Sequence, residues 1–166
     1  MTPTPKGTLR PDADHTDLVL TRTFRASIDD VWASVTESDR LARWFGSWAG
    51  EAGVGRTVTV TMTGEEGDST SQALIEACEP PHHLTVSTVN EYGTWNLELR
   101  LTEHGDTTEL TFVHHLSDTN SLGTTGPGWE YYLDALHAAM TETSLPDFDD
   151  YFPAMRDYYE LQASSR

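Results

Sequence analysis

Two histidines of this 166-residue chain stand where acid–base chemistry could be done, His114 and His137. His114 ends a strand row of alternating apolar residues, and an imidazole there could serve as general acid or base on a bound carbonyl compound, because its ordinary pKa lies near neutral pH. Tyr132 is the other candidate proton donor or acceptor. A structural role competes for His114, in which it donates to a loop carbonyl and fixes the chain ahead of Leu116 to Pro127. A lone titratable group is a weak marker of a site, so the structural role carries more weight. His137 reads as a helix-surface residue.

Other chemistries find no footing. His114 and His115 are adjacent, so in a strand they point to opposite faces and cannot hold one ion. There is no HExxH helix and no GxSxG elbow, and Gly46-Ser47-Trp48 lacks the elbow's spacing. Gly53-Val54-Gly55 is not a phosphate loop, because no lysine or helix follows at the needed distance. The carboxylates, Glu130 and Asp134 among them, fall on faces expected to meet solvent. Neither a metal nor a cofactor is expected. Cys78, the single cysteine, has no internal disulfide partner, in keeping with a reducing compartment.

A second kind of chemistry, apolar recognition, is suggested by Trp44, Phe45 and Trp48, three aromatics within five residues at a helix-to-loop junction. Large aromatics are mostly core, yet rings beside glycines at a cavity rim can wall an apolar pocket. With 27 acidic against 10 basic residues the formal charge is −17, which repels phosphate backbones and anionic lipid headgroups. Neither nucleic acid nor a membrane is an expected partner. No run of about 18 apolar residues and no charged-then-apolar leader is present, so a cytoplasmic protein is expected.

The elements that would position these residues follow from periodicity. Residues 1–15, with three prolines and no apolar pattern, read as a flexible arm. Leu18 to Arg25 alternates as a strand, with Leu18, Leu20, Arg22 and Phe24 on one side. Ser27-Ile28-Asp29-Asp30 caps a short helix through Val31, Trp32 and Val35, and a second turn from Ser38 ends at Gly46. Strands follow at Thr57–Thr63, Ser71–Cys78 and His83–Val89, with a turn at Gly64–Asp68 and with His82 and His83 as solvated turn residues. Trp95 to Leu101 and Leu110 to His114 form a hairpin about His104-Gly105, which puts Leu99 opposite Leu110, Leu97 opposite Phe112 and Trp95 opposite His114. After the breakers in Thr124 to Gly128, Trp129, Tyr132, Leu133, Leu136 and Met140 recur at helical spacing. Residues 144–166 carry aromatics at near-helical spacing, a helical extension for packing on the domain or on a second copy. The fold class is α+β, a curved antiparallel sheet holding one long helix with a space between them.

These residues resemble a known family. Val31-Trp32 with Leu41-Ala42-Arg43-Trp44-Phe45, the Pro80-Pro81 turn with Leu84, and Thr108 to His114 followed by Gly128-Trp129-Glu130 and Leu133 are similar to the START-like, helix-grip superfamily. That superfamily includes polyketide cyclases and the major pollen allergens, and the resemblance is to its branch similar to the activator of the heat-shock-protein-90 ATPase. It covers residues 17 to 141 and omits the N-terminal arm and the extension. It implies a domain over residues 16–143, about seven strands wrapped around the helix from Trp129, and a cavity for an apolar or aromatic small molecule. The expected wall is Trp44, Met62, Trp95, Leu97, Phe112, His114, Trp129, Tyr132, Leu133 and Leu136. Binding without catalysis is the leading reading. A cyclase or dehydratase using His114 or Tyr132 as acid or base, and a co-chaperone-like interaction module, are the alternatives. A homodimer through the sheet edge or the tail stays open.

Overall fold

The alternating segments assemble into one antiparallel sheet in the computed structural model, which describes residues 4–11, 16–62, 69–90, 93–116 and 122–164. Its strands are β1 (Thr8–Pro11), β2 (Thr16–Phe24), β3 (Gly46–Ala49), β4 (Thr57–Met62), β5 (Ser69–Glu79), β6 (His83–Asn90), β7 (Gly93–His104) and β8 (Thr107–Leu116). They lie in the order β1-β2-β8-β7-β6-β5-β4-β3. Helices α1 (Ile28–Thr36) and α2 (Ser38–Leu41) cross from β2 to β3, the long helix α3 (Leu122–Met140) follows β8, and a short 3-10 turn leads to α4 (Arg156–Ser164). This is the α+β, helix-grip arrangement expected. It has eight strands because β1 and the four-residue β3, too short to show an alternation, join the sheet at its two ends. Among the described residues no helix is long and apolar enough to cross a membrane.

The capping expectation for α1 holds, with the Asp30 amide donating to the Ser27 hydroxyl at 3.2 Å. The β7–β8 hairpin keeps the expected face but shifts by two residues: Leu97 lies opposite His114, Leu99 opposite Phe112 and Leu101 opposite Leu110. Gly105, at φ +63°, takes the first central position of the turn, with His104 pairing Thr107. A positive φ there suits a type II′ turn, which places Gly105-Asp106 rather than His104-Gly105 at its centre. A two-residue slip preserves which side chains share a face.

Three expectations about chain order are corrected. The arm is ordered over Thr8–Pro11, which pairs with β2, while residues 1–3 and 12–15 lie outside the described residues, as does the whole Gly64–Asp68 turn. His83 is a half-buried strand residue and not a solvated turn residue. Helix α3 begins at Leu122, six residues before the expected break ends, and contains Pro127. The proline sits within the first two turns and removes only one helical hydrogen bond. The glycines read as breakers serve packing: a Cβ on Gly126 would meet the Tyr159 ring at 2.5 Å, and one on Gly123 would meet Arg156 and Glu160 at 2.9 Å. They are the positions at which α4 lies against α3.

Gly126→Ala should therefore destabilise the protein by about 1–3 kcal/mol through overpacking. Gly128→Ala, with nothing within 4 Å of its Cβ, should stabilise it by about 0.5–1 kcal/mol through helix propensity. Urea unfolding of both variants reads the contrast, and stabilisation by both would mean that α4 does not lie this close.

Candidate functional site: an aromatic cluster beneath the long helix

The stripe of α3 that faces the sheet carries Trp129, Leu133 and Leu136, all buried. The Trp129 ring touches Phe112 at 4.4 Å between centroids, Trp95 and Tyr132 at 5.9 Å, and Phe45, nearly parallel, at 6.1 Å. Phe45 also meets Tyr132 at 4.9 Å and Trp44 at 5.5 Å. Of the expected wall, Trp95, Phe112, His114, Trp129 and Tyr132 thus form one cluster, and Trp44 joins it through Phe45. Leu133 and Leu136 lie deeper in the core, with Leu97 packed against it. Met62 lies on β4 opposite Gly46, and none of the ring contacts involves it. Phe45 belongs with this cluster although the expected wall left it out; its place between two tryptophan positions was the available signal. The indoles of Trp44 and Trp48 donate to the Ser34 and Thr36 carbonyls at 2.9 and 2.8 Å, which pins this segment to the end of α1.

The inner face of the sheet is uneven. On β2 and β8 it is sealed, with Leu18, Leu20, Leu110 and Phe112 buried. Cross-strand partners share a face, so Leu97 with Val86, Val86 with Ile75, and Trp95 with Thr88 continue that face across β7, β6 and β5. Val60 and Met62 extend it onto β4 through Ser71 and Ser69. Apart from Val58, Ala73 and Leu101, which are buried, this half is lined by half-buried side chains: Val60, Met62, Ile75, Leu84, Val86, Trp95 and Leu97.

His114 is 4 % exposed and accepts at Nδ1 from the indole N–H of Trp129 at 3.1 Å. An indole can only donate, so Nδ1 carries no proton. Burial first, and then the charge of His115, push the His114 pKa down from 6.5 to about 4. At neutral pH this is a neutral ring, ill-suited to act as a general acid.

The buried charge cluster that the sequence reading missed lies on the other flank of α3. Glu130, expected to face solvent, is 1 % exposed, and its Oε1 accepts from the guanidinium of Arg22 at 2.7 Å. Its Oε2 accepts from the Tyr159 hydroxyl at 2.5 Å and from the Lys6 and Gly7 amides at 2.6 and 3.0 Å. Asp134 accepts from Arg22 Nε at 3.0 Å and from the Tyr151 hydroxyl at 2.8 Å. Burial, then the Glu130 charge and hydrogen bond, raise the Tyr159 pKa well above the phenol range. Burial alone would lower the pKa of Arg22, but the bonds and charges of Glu130 and Asp134 raise it above its usual value. The signal was Arg22 itself, which alternates with Leu18, Leu20 and Phe24 on the core side and so requires a buried carboxylate opposite.

The outer face carries a polar ladder. His115 lies between Asp17, 2.7 Å from Nδ1, and Glu98, 3.0 Å from Nε2; His83 and Arg100 meet the second Glu98 oxygen at 2.8 and 2.6 Å. Burial alone would raise the Glu98 pKa, but hydrogen bonds from His83, Arg100 and His115 hold it below the usual carboxylate value. His114 and His115 do face opposite sides, and among the described residues no group of histidine, cysteine and carboxylate side chains is arranged to hold a metal ion. Clefts of about 180 and 150 Å³ flank Met140 at the C-terminal end of α3. Arg40, Arg43 and Glu142 line the first, Arg25, Asp30 and His137 the second, and Trp44 is the sole expected wall residue at either. Their charged rims suit an apolar ligand less well than the inner face does.

Sheet, grip helix and aromatic cluster together define a START-like, helix-grip domain. Residues 25–141 match the family described as activator of Hsp90 ATPase homolog 1-like protein, and the chain belongs to that family. It is similar in structure to the crystal structure of CalU16 from Micromonospora echinospora, with 26% identity, a TM-score of 0.78, and 96% of this chain and 97% of that one covered. A Bordetella parapertussis protein solved in solution shares 22% identity at a TM-score of 0.75, with 96% and 94% covered. DynU16, from the dynemicin biosynthetic locus, shares 22% identity at a TM-score of 0.68, over 86% of this chain and 51% of its own. No curated protein matches the sequence.

Because the unfolded chain takes a proton at His114 near pH 6.5 and the fold resists it to about pH 4, the unfolded state binds more protons between these values. Stability from this group is complete above pH 6.5 and is lost as pH falls toward 4. From pH 7 to pH 5 the wild type should lose about 2 kcal/mol more than His114→Asn, which keeps an acceptor for Trp129 but does not titrate. Urea unfolding at the two pH values measures this; equal losses would show that His114 is not held neutral.

Proposed function

We propose that the protein binds an apolar or aromatic small molecule between the inner face of β4–β7 and the first half of α3. One observation carries the reading: a single continuous sheet face is sealed over β2 and β8, whereas over β4 to β7, apart from the buried Val58, Ala73 and Leu101, it is only half-buried, with Val60, Met62, Ile75, Val86, Trp95 and Leu97 pointing the same way as the core. A finished core buries such side chains, and a contiguous apolar surface left half-covered beside aromatic rings is the usual form of a ligand site. Membership in a helix-grip family supports the same reading. The neutral, buried His114 favours binding over acid–base catalysis, and the hydrogen bond from Trp129 gives it a positioning role instead. A chain of charge −17 also suits a neutral ligand better than an anionic one.

Flat aromatic compounds at about 100 times their dissociation constant should stabilise the fold by about 2.7 kcal/mol, several degrees in Tm, and quench tryptophan fluorescence. Trp95→Ala should weaken binding by about tenfold or more with the fold intact. Retention of wild-type affinity by that variant, or no stabilisation across a panel of aromatic and aliphatic compounds, would overturn the proposal.

A further inference from the structure

The hydrogen bond from Trp129 to His114 limits what can occupy the inner face. An indole N–H has no acceptor capacity, so its partner Nδ1 must present a lone pair, and the proton of the neutral imidazole stands on Nε2. His114 is 4 % exposed, and among the described residues Nε2 has no acceptor. The ring lies on the inner face opposite Leu97 on β7 and Leu18 on β2, and it meets the half-buried indole of Trp95 at 5.0 Å. A buried donor is therefore held, in a fixed tautomer, where the sealed and half-covered parts of the sheet meet. Leaving such a donor unpaired is unfavourable, and a site built around it discriminates against molecules that cannot accept from it.

We infer that the occupant of this face is a neutral oxygenated aromatic molecule whose ring ketone oxygen accepts the Nε2 proton of His114. The inference rests on the binding reading and adds a chemical class to it: an aromatic body against Trp95 and Trp129, with an acceptor oxygen at Nε2 of His114 on β8. A pure hydrocarbon would cover the apolar floor and strand the donor. A molecule whose only polar group is a donor N–H would place two N–H groups against each other. Trp129 acts here as a positioning residue, since its indole decides which imidazole nitrogen is offered.

The tautomer can be tested without any ligand. Two-bond proton–nitrogen correlation spectra of the protein at pH 7 should show His114 neutral and protonated at Nε2, and Trp129→Phe should let the tautomers mix. A resonance pattern of Nδ1–H, or of the charged ring, in the wild type would overturn the inference. Binding then separates the two claims through matched pairs, 9-fluorenone against fluorene and 1-indanone against indane, followed by tryptophan fluorescence and calorimetry. The ketones should bind about tenfold or more tightly than the hydrocarbons, and His114→Phe should abolish that preference while the hydrocarbons still bind. Equal affinity of ketone and hydrocarbon for the wild type would overturn the inference and leave the apolar site standing. Failure of all four to bind would remove the site and the inference together.

Discussion

The constraint on which the structure depends is the buried carboxylate of Glu130. Its two oxygens are reached from β2 through Arg22, from α4 through Tyr159, and from the residues just before β1 through the Lys6 and Gly7 amides. A carboxylate and a guanidinium removed from water are costly to bury, and the cost is offset only where the remaining lone pairs and protons find partners. Here four donors converge on one side chain, so the positions of three separate elements around α3 must agree before the charge is satisfied. Trp129 precedes Glu130 by one residue, about 100° around the helix. Satisfying the carboxylate on one flank therefore sets the angle at which the indole meets the sheet on the other.

That coupling explains why the glycines of α3 stand where they do. The Tyr159 hydroxyl reaches Glu130 only if its ring lies directly over Gly126, and the crossing of α4 leaves no room for a side chain at Gly123. Tyr158 and Gln162 then bind the Gly7 carbonyl, which ties the last helix to the first strand. The segments before and after the region that matches the family are thus joined to each other across its buried charge, and they cover the flank of α3 that the sheet leaves bare.

Much of this fold was legible in the sequence, because the strands of β2, β4, β7 and β8 alternate cleanly and alternation decides which side chains face inward. The aromatic cluster followed from the same parity, with Trp95, Phe112 and His114 assigned to one face and Trp129 and Tyr132 to the helix above it. What escaped was everything that depends on a second neighbour. Glu130 looked solvent-facing because a helix with one apolar stripe was given only two sides, whereas α4 and β1 cover a third. Gly123, Gly126 and Pro127 looked like breakers because local propensity carries no trace of a helix arriving from 30 residues later. Strand β1 has too few apolar residues to reveal itself and is ordered by the free edge of β2. The hairpin register slipped by two because turn chemistry, not the apolar pattern, chooses the central pair, and a shift of two leaves the pattern unchanged.

The inner face joins these levels to function. The part of the inner face on β2 and β8 is finished as a core, whereas the part carrying Val60, Met62, Ile75, Val86 and Leu97 remains half-covered, and the Trp129–His114 pair stands at the boundary. The most direct measurement is a methyl-detected NMR titration with the aromatic compound that most stabilises the fold. If the account is right, the methyl signals of Met62, Ile75, Val86 and Leu97 shift together and saturate at one affinity, while those of Leu18 and Leu110 stay in place. Shifts confined to Ala139 and Met140, beside the polar clefts at the far end of α3, would contradict it.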